Sequence, residues 1–111
     1  MQFGQPIGKF QAISFKLMRM DIEINATRWL AYWTAWLYDQ RRRCLKEASA
    51  VKLFASEIAG RVTAEAMQIR GGYGYMAEPP VQRYYRDASL FTISGGISEI
   101  QQSVIAIELG L

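Results

Sequence analysis

The chain has 111 residues, half of them hydrophobic and 13% aromatic, with a net charge of +3; that length and composition describe one packed domain with one core and exclude a disordered segment. It contains no histidine and a single cysteine, Cys44, which excludes histidine-based triads, an intrachain disulfide and a two-cysteine metal motif. The basic run Arg41, Arg42 and Arg43 is too short for a nucleic-acid surface and suits a solvated turn, so no nucleic-acid partner is expected.

Between Lys9 and Tyr38 there is no proline or glycine, and apolar or small residues recur at three-four spacing: Phe10, Ile13, Leu17, Met20, Ile24, Thr27, Ala31, Thr34 and Tyr38. This predicts one long helix. A second stripe of Phe15, Met18, Ile22, Trp29, Trp33 and Trp36 lies on an adjoining face, so the helix needs neighbours on two sides and one face is expected to be an oligomer interface. Trp29 to Tyr38, followed by the three arginines, has the composition of an interfacial anchor, but it is bounded by Arg28 and is well short of a spanning length. Core or subunit contact is therefore the reading retained, with no membrane span.

Residues 39–43 form a predicted turn, and a second helix runs from Leu45 to Arg70 with the stripe Ala48, Val51, Ala55, Ile58, Val62, Ala66 and Ile69. Small residues dominate that stripe, which permits close helix approach. Gly60 lies inside the helix, where either close packing or solvent exposure accounts for it. Gly71 and Gly72 read as the helix stop. After a loop through Glu78-Pro79-Pro80 a short helix is predicted over Val81–Ala88, with Pro80 suited to its first turn. A last helix follows Thr92 to Gly96, with Ser98 and Gln101 as a Ser-x-x-Gln capping box ahead of Ile100, Val104, Ile107 and Leu111. No period-2 run or internal repeat is present. The fold class is all-α, a four-helix bundle of two long and two shorter helices.

Two glycine clusters could carry chemistry. Gly72-Tyr73-Gly74-Tyr75-Met76-Ala77 fits G-x-G-x-x-A, but the dinucleotide fingerprint needs a strand before it and a helix opening from its glycines, and here a helix precedes and a proline-bounded loop follows. Gly95-Gly96, just ahead of a helix, is a better anion site in principle because backbone N–H groups and the positive dipole end point outward there; a plain loop is the alternative.

Taken together, Phe3-Gly4-Gln5-Pro6-Ile7, Glu47-Ala48-Ser49 with Lys52-Leu53-Phe54-Ala55-Ser56, Gln68-Ile69-Arg70-Gly71-Gly72, Gln82-Arg83-Tyr84-Tyr85-Arg86-Asp87-Ala88 and Gly95-Gly96-Ile97-Ser98-Glu99-Ile100-Gln101 resemble the C-terminal helical domain of the acyl-CoA dehydrogenases. Members of that family carry QFGxPIxxFQ, EASxxKLFAS, QIxGGxGY, ERYYRDA and EGTSEIQ in this order, and the likeness covers almost the whole chain. It implies α,β-dehydrogenation of an acyl-CoA thioester, FAD as cofactor, an electron-transfer flavoprotein as acceptor and a homo-oligomer.

By the same resemblance Phe3, Ile7 and Gln11 match positions lining the adenine end of FAD across a subunit boundary, and Gln68 and Gly72 match residues contacting the flavin nucleotide of a neighbouring subunit. On the residues alone the last two are a solvated amide and a helix cap. Ile97 and Glu99 fall in the stretch that touches FAD. Gly95 stands where the family's catalytic glutamate would be, and Ile97 where its threonine would be. No carboxylate can act from Gly95, although its backbone N–H could polarise a thioester carbonyl. Glu99 lies on a different turn and is not expected to replace the base. Arg83, Arg86 and Asp87 are expected to form ion pairs within the bundle.

The family's N-terminal helical domain and middle β-domain have no room in these residues, so the 111 residues are expected to form a single C-terminal-like domain without turnover of its own. A non-catalytic self-association or protein-interaction module built on the Trp29, Trp33 and Trp36 face is the alternative. The single cysteine and the lack of a basic flank with an apolar run at the N-terminus fit a cytoplasmic or other reduced intracellular compartment.

Overall fold

The computed structural model describes residues 1–72 and 80–111. After a short 3-10 turn at Ile7–Lys9 the described elements are α1 (Gln11–Asp39), α2 (Leu45–Arg70), α3 (Pro80–Ala88) and α4 (Ser98–Glu108). The all-α expectation holds, with two long and two shorter helices among the described residues. The fingerprint-like run beyond Gly72 and the loop through Glu78 lie outside them.

α1 and α2 form an antiparallel hairpin. Lys16 Nζ meets Glu65 Oε2 at 2.8 Å, and Arg61 pairs with Glu23, so residue numbers fall along α2 as they rise along α1. The turn between them is a Schellman closure: Arg41 N–H donates to the Tyr38 carbonyl and Arg42 N–H to the Leu37 carbonyl, with Arg41 at φ 55° in the place usually given to glycine. A side chain in that conformation costs about 1–2 kcal/mol.

α2 is the element on which the others are built. It packs against α1, α3 and α4, whereas among the described residues those three make no comparable contact with one another. This explains two departures from the expected stripes. Ser49 and Ser56 are buried on α2 although neither belongs to its apolar stripe, while Ala48 of that stripe is exposed. A helix covered on several sides has no single inward face, and serine is small enough to admit a close neighbour. The Ser56 hydroxyl is satisfied by the Lys52 carbonyl one turn back. On α1 the buried residue near the turn is Leu37, not Tyr38, which is 74% exposed; the stripe steps by three there, not four.

The buried apolar residues described are Leu37, Ile58, Val81 and Ala88. Phe15, Met18, Ile22, Trp29, Trp33 and Trp36 are all exposed along α1, with Trp33 stacked on Trp36 at 5.4 Å between ring centroids. The molecule measures 55 × 26 × 23 Å with a radius of gyration of 17.1 Å, against about 13 Å for a compact domain of this length. The hairpin thus carries a long apolar face that the described residues do not cover.

The far end of α4 is tied to the hairpin turn. Arg43 donates through Nε to Glu108 Oε2 at 3.0 Å and through Nη2 to Oε1 at 2.5 Å. These hydrogen bonds hold the Glu108 carboxyl below its ordinary range; partial burial opposes them, and the charges of Arg43 and Lys46 add to them. Because the folded value is depressed, the pair's contribution is complete above the unfolded carboxylate range near 4.5 and is lost as pH falls through the folded value. Denaturation midpoints of the wild-type chain and Glu108→Gln should therefore differ at pH 7 and converge on acidification below about pH 4.

Candidate functional site

The N-terminal residues form a strained presentation of an aromatic ring. Gln2 and Gln5 exchange backbone hydrogen bonds at 2.9 and 3.1 Å, closing a two-residue turn in which Phe3 has φ 50° and Gly4 φ 77°. Positive φ at both central residues is the type I′ pattern, in which a bulky side chain at the first position is disfavoured. Phe3 is nevertheless there, 92% exposed, with its ring edge-on to Phe10 at 6.2 Å. Ile7 is half-buried in the 3-10 turn that follows, and Gln11 is exposed in the first turn of α1.

Gln68 and Gly72 are exposed at the end of α2, which Gly71 closes at φ 61° with its N–H on the Gln68 carbonyl. The antiparallel pairing of the hairpin puts Gln11 at this same end. Ala64, Met67, Gln68, Gly71, Gly72 and Tyr85 line an open recess of about 620 Å³. A helix C-terminus carries partial negative charge, so the recess suits hydrogen-bond donors such as an exocyclic amine or a ribose hydroxyl better than phosphate. Tyr85 was not singled out from sequence as a contact residue; its signal is its place in the Gln82–Ala88 stretch.

Gly95, Ile97 and Glu99 form a second group. Gly95 has φ 65° and Gly96 φ 99°, and a Cβ on Gly96 would stand 2.6 Å from Gln101 Nε2. The expected capping box is corrected here: the cap is Ile97, with no side-chain cap bond. Ser98 instead gives its N–H and its hydroxyl to the Thr92 carbonyl, at 3.2 and 3.5 Å, which draws it into the first helical turn, and the Gln101 amide lies over Gly96. Glu99 is exposed in that first turn.

The loop rests on α2 through Lys52, whose Cε is 3.8 Å from where a Cβ on Gly95 would stand. Lys52 and Gln68 are sixteen residues apart on α2, on the order of 24 Å at about 1.5 Å per residue. The structure therefore brings Gln11, Gln68 and Gly72 to one end of the hairpin, with Phe3 and Ile7 leading into it, and keeps Gly95, Ile97 and Glu99 apart over the first half of α2. The expected ion pairs of Arg83, Arg86 and Asp87 are not formed among the described residues; Arg83 lies over the Tyr84 ring at 5.4 Å, and all three are exposed. Among the described residues no helix is long and apolar enough to cross a membrane.

Residues 1–110 match the family model for the acyl-CoA dehydrogenase C-terminal domain. The chain is 54% identical over 108 residues to the probable acyl-CoA dehydrogenase YngJ of Bacillus subtilis, covering 97% of this chain and 28% of that protein. Butyryl-CoA dehydrogenase from Megasphaera elsdenii superposes with a TM-score of 0.97 at 44% identity, over all of this chain and 29% of that one. PigA in complex with FAD superposes with a TM-score of 0.95 at 31% identity, again over 100% and 29%. The chain thus spans a little over a quarter of the length of the relatives it matches. On its sequence and its fold it belongs to the acyl-CoA dehydrogenase family, as that family's C-terminal domain.

Proposed function

We propose that this chain is the part of an FAD-dependent acyl-CoA dehydrogenase that contacts the adenine side of the cofactor and a neighbouring subunit, in an enzyme that removes hydrogen from the α and β carbons of an acyl-CoA thioester. The observation that carries the reading is Phe3, a large aromatic held at φ 50° and 92% exposed. Its own fold gives it little reward for that strain, and strain of this kind persists where a partner supplies the reward. An adenine ring is a fitting partner for an exposed aromatic face. Gln68 adds an amide that both donates and accepts, and Gly72 leaves its backbone open, since a Cβ there would meet nothing within 4 Å. The residues present fit the adenosine part of FAD. Hydride acceptance is the chemistry that FAD supplies when bound.

Gly95 has no carboxylate, so this loop takes no proton from the substrate. Its contribution in this reading is a backbone N–H just ahead of α4, available to polarise a carbonyl oxygen. The proton acceptor, the flavin-ring pocket and most of the acyl-CoA pocket belong to an N-terminal helical and a middle β domain in this reading. An electron-transfer flavoprotein is the proposed electron acceptor, and a reduced intracellular compartment accords with the unpaired Cys44.

A second reading rests on the uncovered face of α1. Trp29, Trp33 and Trp36 are 69%, 49% and 48% exposed, and such a face fits self-association of this chain. The two readings combine if the contact between copies also completes the adenine site. The test is an FAD titration of the 111-residue chain, following flavin fluorescence and molar mass together. Saturable quenching in a species larger than a monomer, weakened by Gln68→Ala, is the expected result. A folded, helical chain that self-associates without binding FAD would overturn the cofactor reading and leave the interaction module.

A further inference from the structure

We propose that Lys52 is a positioning residue that fixes the Gly95–Gly96 turn from beneath, a role that rests on the reading of that turn as a ligand contact. The lysine lies on α2 and is half-buried. Its ammonium donates to the Phe91 carbonyl and to Ser56 Oγ at 3.5 Å. Its Cε is in van der Waals range of the Cβ position of Gly95, at 3.8 Å. One side chain therefore grips the loop at its entry and supports it at its apex.

Each end of this arrangement is held. Phe91 belongs to the turn that continues α3: its N–H reaches back to the Ala88 carbonyl, and Ser94 N–H to the Leu90 carbonyl. Carbonyls just past a helix C-terminus lack helical donors, and a cation is the favoured partner there. Among the described residues Lys52 forms none of the carboxylate ion pairs, which join Lys16, Arg43, Lys46 and Arg61 to their partners. Ser56, 3% exposed, gives its hydroxyl hydrogen to the Lys52 carbonyl and offers its oxygen to the ammonium. A buried serine outside the apolar stripe is thereby accounted for: it orients the lysine.

The consequence falls on the backbone at Gly95 and Gly96. Two consecutive glycines at positive φ have many alternative conformations, and an N–H donor contributes to binding or catalysis when its direction is set in advance. Hydrogen bonds from Ser98 to Thr92 hold the far side of the loop. Lys52 holds the near side.

The experiment compares wild type, Lys52→Met, which keeps the aliphatic stem, and Lys52→Arg, which keeps a donor. Amide exchange is followed by NMR at Ile93, Ser94 and Ser98, whose N–H groups are hydrogen-bonded within the loop, and, as controls, at Leu37 and Ile58. Lys52→Met should accelerate exchange about tenfold at the three loop amides and leave the two controls unchanged, with Lys52→Arg restoring most of the protection. Unchanged loop amides would overturn the proposal. So would equal acceleration at Leu37 and Ile58, or a Lys52→Met chain that fails to fold, since the lysine would then support the whole domain. FAD titration separates this from the reading beneath it. The adenine recess at Gln68 lies on the order of 24 Å from Lys52 along α2, so equal binding in wild type and Lys52→Met supports both readings, and binding about tenfold weaker in Lys52→Met overturns the local positioning role. A wild-type chain that binds no FAD removes the cofactor reading and leaves the amide comparison to decide Lys52.

Discussion

Ile58→Ala should leave the isolated chain largely unfolded at 25 °C. Ile58 is 4% exposed and sits mid-way along α2, the helix on which α1, α3 and α4 all pack. Truncating a buried isoleucine to alanine costs about 2–5 kcal/mol, and the upper part of that range applies where the surroundings cannot close around the gap. Ile58 is buried on the one helix against which all three others pack, so a gap there lies at the centre of the packing. The stability available to absorb the loss is small. Ordinary domains have about 5–15 kcal/mol, and this one is elongated, with a radius of gyration of 17.1 Å and few buried apolar residues among those described. Far-ultraviolet circular dichroism and a urea titration would show a collapsed helical signal at low denaturant. Trp33→Ala provides the contrast. Trp33 is 49% exposed, so in a monomer its loss should cost well under half as much, about 1 kcal/mol or less. A large, concentration-dependent cost at Trp33 would show that a second copy covers the α1 face.

Helix positions were legible because periodicity and punctuation agreed. Leu45–Arg70 has the expected bounds, Lys9–Tyr38 becomes Gln11–Asp39, and Val81–Ala88 gains Pro80. Gly71 stops α2 for the reason its residue type suggests, a positive φ. Packing was less legible. Whether a stripe steps by three to Leu37 or by four to Tyr38 depends on where the neighbouring helix lies, and the burial of Ser49 and Ser56 depends on α2 having neighbours on several sides. The capping box failed for a similar reason: Thr92, six residues away, competes for Ser98.

The candidate site was legible through family likeness more than through pattern. Gln68 alone is a polar residue on a helix, and nothing in the order of residues announces that Phe3 takes positive φ. Lys52 lay within a stretch that carried the likeness, yet a single lysine on a helix ordinarily reads as solvated. Its contacts with Phe91 and Gly95 join residues about forty positions apart, a relation that only the packing of α2 against the loop creates.

Gly96→Ala and Gly60→Ala should move stability in opposite directions, although both add one methyl group. Gly60 lies inside α2, and a Cβ built there meets nothing within 4 Å. Alanine would restrict the unfolded chain without straining the folded one, a gain of about 0.5–1 kcal/mol. Gly96 has φ 99°, a conformation that costs a residue with a Cβ about 1–3 kcal/mol. The new Cβ would also stand 2.6 Å from Gln101 Nε2. That amide ends a flexible side chain and can swing away, so the backbone contributes most of the loss. The total expected is about 2 kcal/mol, and Gly96→Ala combined with Gln101→Ala should recover little of it. If the double variant recovers most of the loss, the clash dominates and the turn tolerates a side chain. Urea midpoints of the four chains decide between these, and amide signals at Gly95 and Ile97 report whether the turn has kept its direction. Should Gly96→Ala prove neutral by both measures, the Gly95–Gly96 turn is not the fixed donor that the proposed thioester contact requires.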